Sequence, residues 1–203
     1  MAEHWDVVIA GGAIMGSSTA YFLTRELGPN ARILVVEKDP TYARSATTLS
    51  AASIRQQFST PENIRLSRFG IDMIRNLKAE FGPDADIGFH EKGYLTLASE
   101  AGAPVLRANH VIQSAEGSDI ELIDPDELAR RFPWMSLDGI ALAAYGRSGE
   151  GWFDAYMWLD LIRKAARRQG AAYVHAAVTG ISREANRITG VTLSDGREIT
   201  CGT

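Results

Sequence analysis

Cysteine is almost missing from this chain. Cys201 is the single one in 203 residues, which excludes an intrachain disulfide and any metal centre built on cysteines. No apolar run approaches the roughly 20 residues that a bilayer crossing needs, so no membrane span is expected. Positive charge has no stripe of its own: the formal net charge is −4, which argues against a dedicated nucleic-acid surface. The N-terminus carries Glu3 and Asp6 where a secretory signal has a basic region, and it reads as a mature cytoplasmic start. Histidine is sparse too. His4, His90, His110 and His175 stand apart with none at ligand spacing, and no Ser-His-Asp or Cys-His arrangement emerges, so they are read as structural or exposed and no metal is expected.

What the chain does have is "IAGGAIMGSS", Ile9 to Ser18, close to the G-x-G-x-x-G fingerprint that lays a pyrophosphate on a helix N-terminus. The first glycine makes the turn, the second admits the phosphates and the third lets helix and strand pack closely. Gly11, Ala13 and Gly16 hold those places; the departure is one methyl, and Gly12 beside it keeps the turn supple. The context fits. "WDVVIAG" reads as a buried strand, "AIMGSSTAYFLTREL" as a helix stopped by Gly28-Pro29, and "ARILVVEKD" as a second buried strand, giving one βαβ unit. Glu37 ends that second strand, where a carboxylate accepts hydrogen bonds from ribose hydroxyls and repels a 2′-phosphate, with Lys38 beside it. The pattern points to FAD or NAD, and the other reading is a glycine turn in an unliganded βαβ unit.

A polar stretch from Thr41 to Thr60 has little periodicity, and loops of that length are usually functional or disordered. The spacing then predicts a helix from Pro61 to Phe81, a hairpin turning at Glu91-Lys92-Gly93, and a helix over Ala103 to Ala115. "ELIDPDELARRFP" predicts a strand and a short helix capped at Asp124. A strand in "GIALAAYG" follows, then a helix with Asp154 as its N-cap, a third parallel strand in "AAYVHAAV", and a meander turning at Asp195-Gly196. Capping explains Asp124, Asp126 and Glu127 without chemistry, Trp134, Trp152 and Trp158 are read as packing residues with lining of a substrate cavity as the alternative, and "RKAARR" is a solvated helix face.

Several stretches together resemble the FAD-dependent amine oxidoreductases of the D-amino-acid oxidase and sarcosine oxidase family. They are "GGAIMGSSTAYFL", "VVEKDPTYARSATTLSAASIRQQFSTPENIRLS", "KGYLTLAS", "IELIDPDELARRFPWM" and "GEGWFDAYMWLDLIRKAARRQGAAYVHAAVTGI". The resemblance implies an α/β, Rossmann-like FAD-binding domain with a parallel sheet over residues 1–86 and 149–203, interrupted by a partly antiparallel substrate-domain segment over 87–148. It places the ADP moiety of FAD on Gly11, Gly12, Ala13, Ile14, Met15 and Gly16, the ribose on Glu37 and Lys38, and Arg44 and Ser45 near the pyrophosphate. The loop Ala51, Ala52, Ser53, Ile54 and Arg55 would pass along the flavin ring, and the backbone of Val178 would lie near the adenine. The residues suit this: Ser45, Ser50 and Ser53 donate hydrogen bonds, Ala51 and Ala52 admit a flat ring, and a cation such as Arg55 stabilises a reduced flavin. A solvated loop, and plain strand-end core for Val178, are the alternatives.

The implied activity is oxidation of the C–N bond of a small amine or amino-acid substrate by hydride transfer to flavin, giving an imine that hydrolyses. Arg55 is a weak candidate at the flavin or a substrate carboxylate, and no catalytic base is named. Members of the family run to nearly twice this length. The resemblance therefore implies an apparently truncated chain with an incomplete sheet, completed by a missing C-terminal half or a second chain, that alone binds FAD weakly and non-covalently and turns over no amine. Two other readings stay open: a non-catalytic FAD-binding fragment, and an NAD-dependent oxidoreductase.

Overall fold

The computed structural model describes residues 3–203; Met1 and Ala2 of the N-terminal stretch lie outside them. The chain forms two compact units, one running to Ser50 and resuming over Asp154–Thr203, the other Ala51–Phe153.

The first unit opens with β1 (Glu3–Trp5), β2 (Val7–Ala10), α1 (Ile14–Leu27) and β3 (Ile33–Glu37). Ile33, Leu34, Val35 and Val36 are all buried, as expected of a parallel strand covered on both faces. β2 and β3 pair in parallel from Val7↔Ile33 to Ala10↔Val36. Gly11, at φ 97°, turns the chain out of β2, a conformation for which glycine carries no steric cost. On α1 the buried face is small or polar at its start, with Ser17 and Ala20 preceding Tyr21 and Thr24, which brings the helix close to β3.

The second unit holds β4 (Ser53–Ile54), α2 (Pro61–Arg75), α3 (Leu77–Phe81), β5 (Leu95–Ala98), α4 (Ala103–Ala115), β6 (Ile120–Ile123), α5 (Pro125–Arg131), β7 (Leu142–Gly146) and β8 (Gly151–Trp152). β7 lies between β5 and β6 in an antiparallel sheet. Leu106 of α4 packs with Ile120, Leu142 and Ala144, while Leu128 of α5 packs with Ile123 and Ala143. Asp124 caps α5, its Oδ1 accepting the Glu127 N–H at 2.8 Å.

Two expectations fail here. The helix expected over 61–81 breaks at Asn76, whose backbone leaves the helical range (φ −94°, ψ 16°) and whose Nδ2 donates to the Asp72 carbonyl at 2.9 Å. The expected hairpin at Glu91-Lys92-Gly93 does not form. His90 bridges to Trp152 and β5 pairs with β7, and Gly93 (φ 81°) is the point where the chain leaves one ladder for the other. Within the second unit Ser53–Ile54 pairs with Gly151–Trp152 and α2 packs on α4.

The first unit then resumes with α6 (Ala155–Arg168), β9 (Ala172–His175), β10 (Val178–Glu184), β11 (Arg187–Leu193) and β12 (Glu198–Cys201). Asp154 caps α6, accepting the Met157 N–H at 2.8 Å, and α6 packs on α1. β9 is the third parallel strand, beside β3. β10 to β12 form the meander, with Gly196 at φ 85° in its second turn, and β1 joins β12 in parallel. Leu34 and Val36 of the parallel sheet meet Val191, Leu193 and Ile199 of the meander in one core. The unit is thus layered as helices, parallel sheet and meander, a Rossmann-like α/β arrangement.

Candidate functional site

The glycine turn joins β2 to α1 and is pinned at successive peptide groups. The Gly11 N–H donates to the Val36 carbonyl at 2.8 Å. The Gly12 N–H donates to Glu37 Oε2 at 2.7 Å, and Oε1 of the same carboxylate accepts the Asp39 N–H at 2.8 Å. Ser17 Oγ donates to the Gly12 carbonyl at 2.6 Å, and Thr47 Oγ1 accepts the Ile14 N–H at 3.2 Å. Gly16 is where the helix meets the strand: a Cβ there would overlap the Gly11 carbonyl oxygen and lie 3.1 Å from Ile9 Cγ2. Ala13, at the place of the second glycine, is the N-cap with φ −68° and ψ −167° and offers no side-chain cap. Alanine adopts that extended conformation freely, so its methyl leaves the turn intact. Ala13 itself supplies no cap and Thr47 takes the Ile14 N–H, so the positive end of the dipole is what remains there for an anion.

Beside the turn lies a cavity of about 840 Å³, within the usual range for ligand sites. Of the residues singled out in the sequence, Gly11, Ala13, Glu37, Lys38, Arg44, Ser45 and Val178 line it together. Gly12, Ile14, Met15 and Gly16 build the turn, Gly12 buried within it and Met15 exposed. The sequence reading missed Asp39, Tyr42, Ala176 and Ala177, which also line the cavity. Tyr42 is buried at φ 56°. Burial pushes its phenol above the usual range, opposed by a hydrogen bond with Arg163. The Thr41 hydroxyl and N–H hold the half-buried Asp39 carboxyl below its usual range. A lone tyrosine in an aperiodic stretch carries no sequence signal for such a place.

Ala51, Ala52, Ser53, Ile54 and Arg55 belong to the second unit. Ala52 takes the left-handed conformation at φ 47°, Ser53 and Ile54 form β4, and the Arg55 guanidinium lies 4.6 Å from the centre of the Phe58 ring. The next two residues surround a carboxylate that the sequence did not reveal. Glu150 is fully buried, and its oxygens accept the Gln56 N–H at 2.6 Å, the Gln57 N–H at 3.2 Å and Gln57 Nε2 at 3.0 Å. Desolvation pushes its carboxyl above the usual range against the pull of those donors. Among the described residues no group of three His, Cys, Asp or Glu side chains is placed to hold a metal ion, and no helix is long and apolar enough to cross a membrane.

The family model described as DAO, FAD dependent oxidoreductase, matches residues 6–202. The chain belongs to this family. Among curated relatives of this DAO chain, FAD-dependent oxidoreductase domain-containing protein 1 of Xenopus laevis is 44% identical over 186 residues, covering 89% of this chain and 37% of the relative. Sarcosine oxidase subunit beta of Rhizobium meliloti (strain 1021) is 28% identical over 95% of this chain and 47% of its own length. Among solved structures, L-proline dehydrogenase from P. horikoshii superposes with a TM-score of 0.84 at 25% identity, over 100% of this chain and 52% of that one. The DAO chain therefore spans between about a third and a half of the length of these relatives.

Proposed function

We propose that the cavity of the first unit takes the ADP half of FAD, and that the protein oxidises the C–N bond of an amino acid or N-methyl amine. The observation that carries this reading is the meeting of the Gly11–Gly16 turn, the Glu37 carboxylate and the cations Lys38 and Arg44 around one cavity. These residues fit the group. The turn presents the positive end of α1 with no cap from Ala13, Gly16 leaves no room for a side chain that would open it, and Glu37 retains lone pairs for ribose hydroxyls beyond its two backbone bonds. FAD bound here supplies the hydride acceptor.

In this reading the protein binds and orients. The α1 N-terminus, Arg44 and Ser45 face the pyrophosphate, Lys38 flanks the ribose, and the Val178 backbone borders the adenine. The loop Ala51–Arg55 runs along the flavin ring, with Arg55 as the cation toward the flavin or a substrate carboxylate. The first unit belongs to the FAD-binding domain, and residues 87–148 belong to a substrate domain. The names of sarcosine oxidase subunit beta and L-proline dehydrogenase support an amine or amino acid as substrate. The former being named a subunit supports completion of the site by further polypeptide, on the same chain or on a partner.

The test is to titrate the purified chain with FAD, ADP and NAD, then assay it with sarcosine and D-amino acids for peroxide formation or dye reduction. FAD and ADP should compete for one site, Glu37→Gln should weaken both, denaturation should release all flavin, and the chain alone should turn over no amine. NAD binding as tight as FAD, or no competition by ADP, overturns the reading.

A further inference from the structure

Two peptide planes of the glycine turn are each pinned by one side chain. Glu37 holds the Gly12 N–H at 2.7 Å. Ser17, fully buried on α1, holds the Gly12 carbonyl at 2.6 Å. A trans peptide is planar, with its C=O and N–H on opposite sides. Fixing the Gly12 oxygen toward Ser17 therefore aims the Ala13 N–H away from it, and Ala13 lines the cavity.

A hydroxyl has one proton to give and two lone pairs, so Ser17 could in principle point elsewhere. Tyr173 on β9 removes that freedom. Its phenol donates to Ser17 Oγ at 3.1 Å, occupying a lone pair and leaving the serine proton for Gly12. Burial pushes the Tyr173 phenol above its usual range, which keeps it a donor, and the Arg167 guanidinium of α6 lies 5.6 Å from the centre of its ring.

We propose that Ser17 and Tyr173 are positioning residues for a pyrophosphate, Tyr173 acting through Ser17 to aim the Ala13 amide into the cavity. The relay runs Tyr173 O–H to Ser17 Oγ, then Ser17 O–H to Gly12 C=O. Neither side chain lines the cavity. The inference rests on the reading that the cavity takes the ADP half of a dinucleotide.

The test uses the 203-residue chain with ADP and adenosine as probes, since only ADP carries the pyrophosphate. Removing one buried hydrogen bond should weaken ADP binding about tenfold in Ser17→Ala and about threefold in Tyr173→Phe. Adenosine binding should stay within about twofold of wild type in both. Because Tyr173 acts through Ser17, the double variant should bind ADP no more weakly than Ser17→Ala alone. On ADP binding, the Ala13 amide should gain protection from hydrogen exchange in wild type and gain less in Tyr173→Phe, while β3 stays protected in both.

Equal losses for ADP and adenosine, independent losses that multiply in the double variant, or unchanged ADP binding would each overturn the inference while leaving the cavity reading intact. A wild-type chain that binds neither probe overturns the cavity reading and the inference with it.

Discussion

Replacing Gly16 with alanine tests whether the helix must touch the strand at this turn. Judged by helix propensity alone, the change favours folding by up to about 1 kcal/mol. The structure reverses the sign. The added Cβ overlaps the Gly11 carbonyl oxygen and falls 3.0 Å from the Gly11 carbonyl carbon and 3.1 Å from Ile9 Cγ2. The first two are backbone and cannot rotate aside, and Gly11 is tethered through its N–H to Val36. Moving α1 outward instead would lift Ser17, Ala20, Tyr21 and Thr24 from their buried places. Overpacking costs roughly 1–3 kcal/mol, and overlap with rigid backbone puts this case at the upper end, so Gly16→Ala should destabilise the chain by about 2 kcal/mol after the propensity gain, measured by urea unfolding. Displacing the first-turn amides by roughly 1 Å should also weaken ADP at least about tenfold, since sites tolerate shifts of that size poorly. A variant as stable as wild type with unchanged ADP affinity would refute the reasoning.

Ala13→Gly should do little, because Ala13 already holds an ordinary extended conformation. We expect a loss of about 0.5–1 kcal/mol from added freedom of the unfolded chain and less than about a threefold change in ADP affinity, read from the same two measurements. Asp154→Ala removes the cap that accepts the Met157 N–H and should cost about 1 kcal/mol in urea unfolding. Glu150→Ala strands the buried Gln56 and Gln57 N–H groups and should cost about 3–5 kcal/mol. Burial raises the Glu150 carboxyl above its ordinary value of 4.5, so the folded chain holds that proton more tightly than the unfolded one. Its stabilising contribution is therefore complete below pH 4.5 and is lost as pH climbs through the folded value. Urea melts at a series of pH values should show wild type losing ground to Glu150→Gln as pH rises above 4.5; a wild-type advantage growing with pH would contradict this.

The parts legible in the sequence are those decided by neighbours along the chain. Val7 to Ala10 and Ile33 to Val36 announce themselves as apolar runs, Gly11 as a turn, and Asp124 and Asp154 as caps three residues from the amides they serve. The family resemblance rested on the same local pattern, and Glu37, Lys38, Arg44 and Ser45, which it singled out, line one cavity. What stayed hidden depends on partners distant in sequence. Glu150 looks like a loop acid until Gln56 and Gln57 close over it. Tyr173 is one more strand aromatic until the fold sets it against Ser17. The hairpin at Glu91 to Gly93 misled because its turn chemistry is sound locally, while the stronger pairings were with Tyr145 and Trp152.

The second unit enters and leaves the chain at one place. Ser53–Ile54 pairs with Gly151–Trp152, and the Phe153 N–H donates to the Ala52 carbonyl at 2.9 Å. For folding this works as a zip at the mouth of an excursion. To complete the parallel sheet, β9 must find β3 although the chain runs from Glu37 to Ala172 between them. Once the mouth is shut, the connection that has to close is roughly fourfold shorter, and two doublings of loop length are worth about 1.2 kcal/mol of closure entropy. The order of events then matters: a chain whose second unit collapses first brings β9 to β3 at a lower entropic cost. A fault at Ser53 or Trp152 would slow the assembly of a sheet in which neither residue takes part.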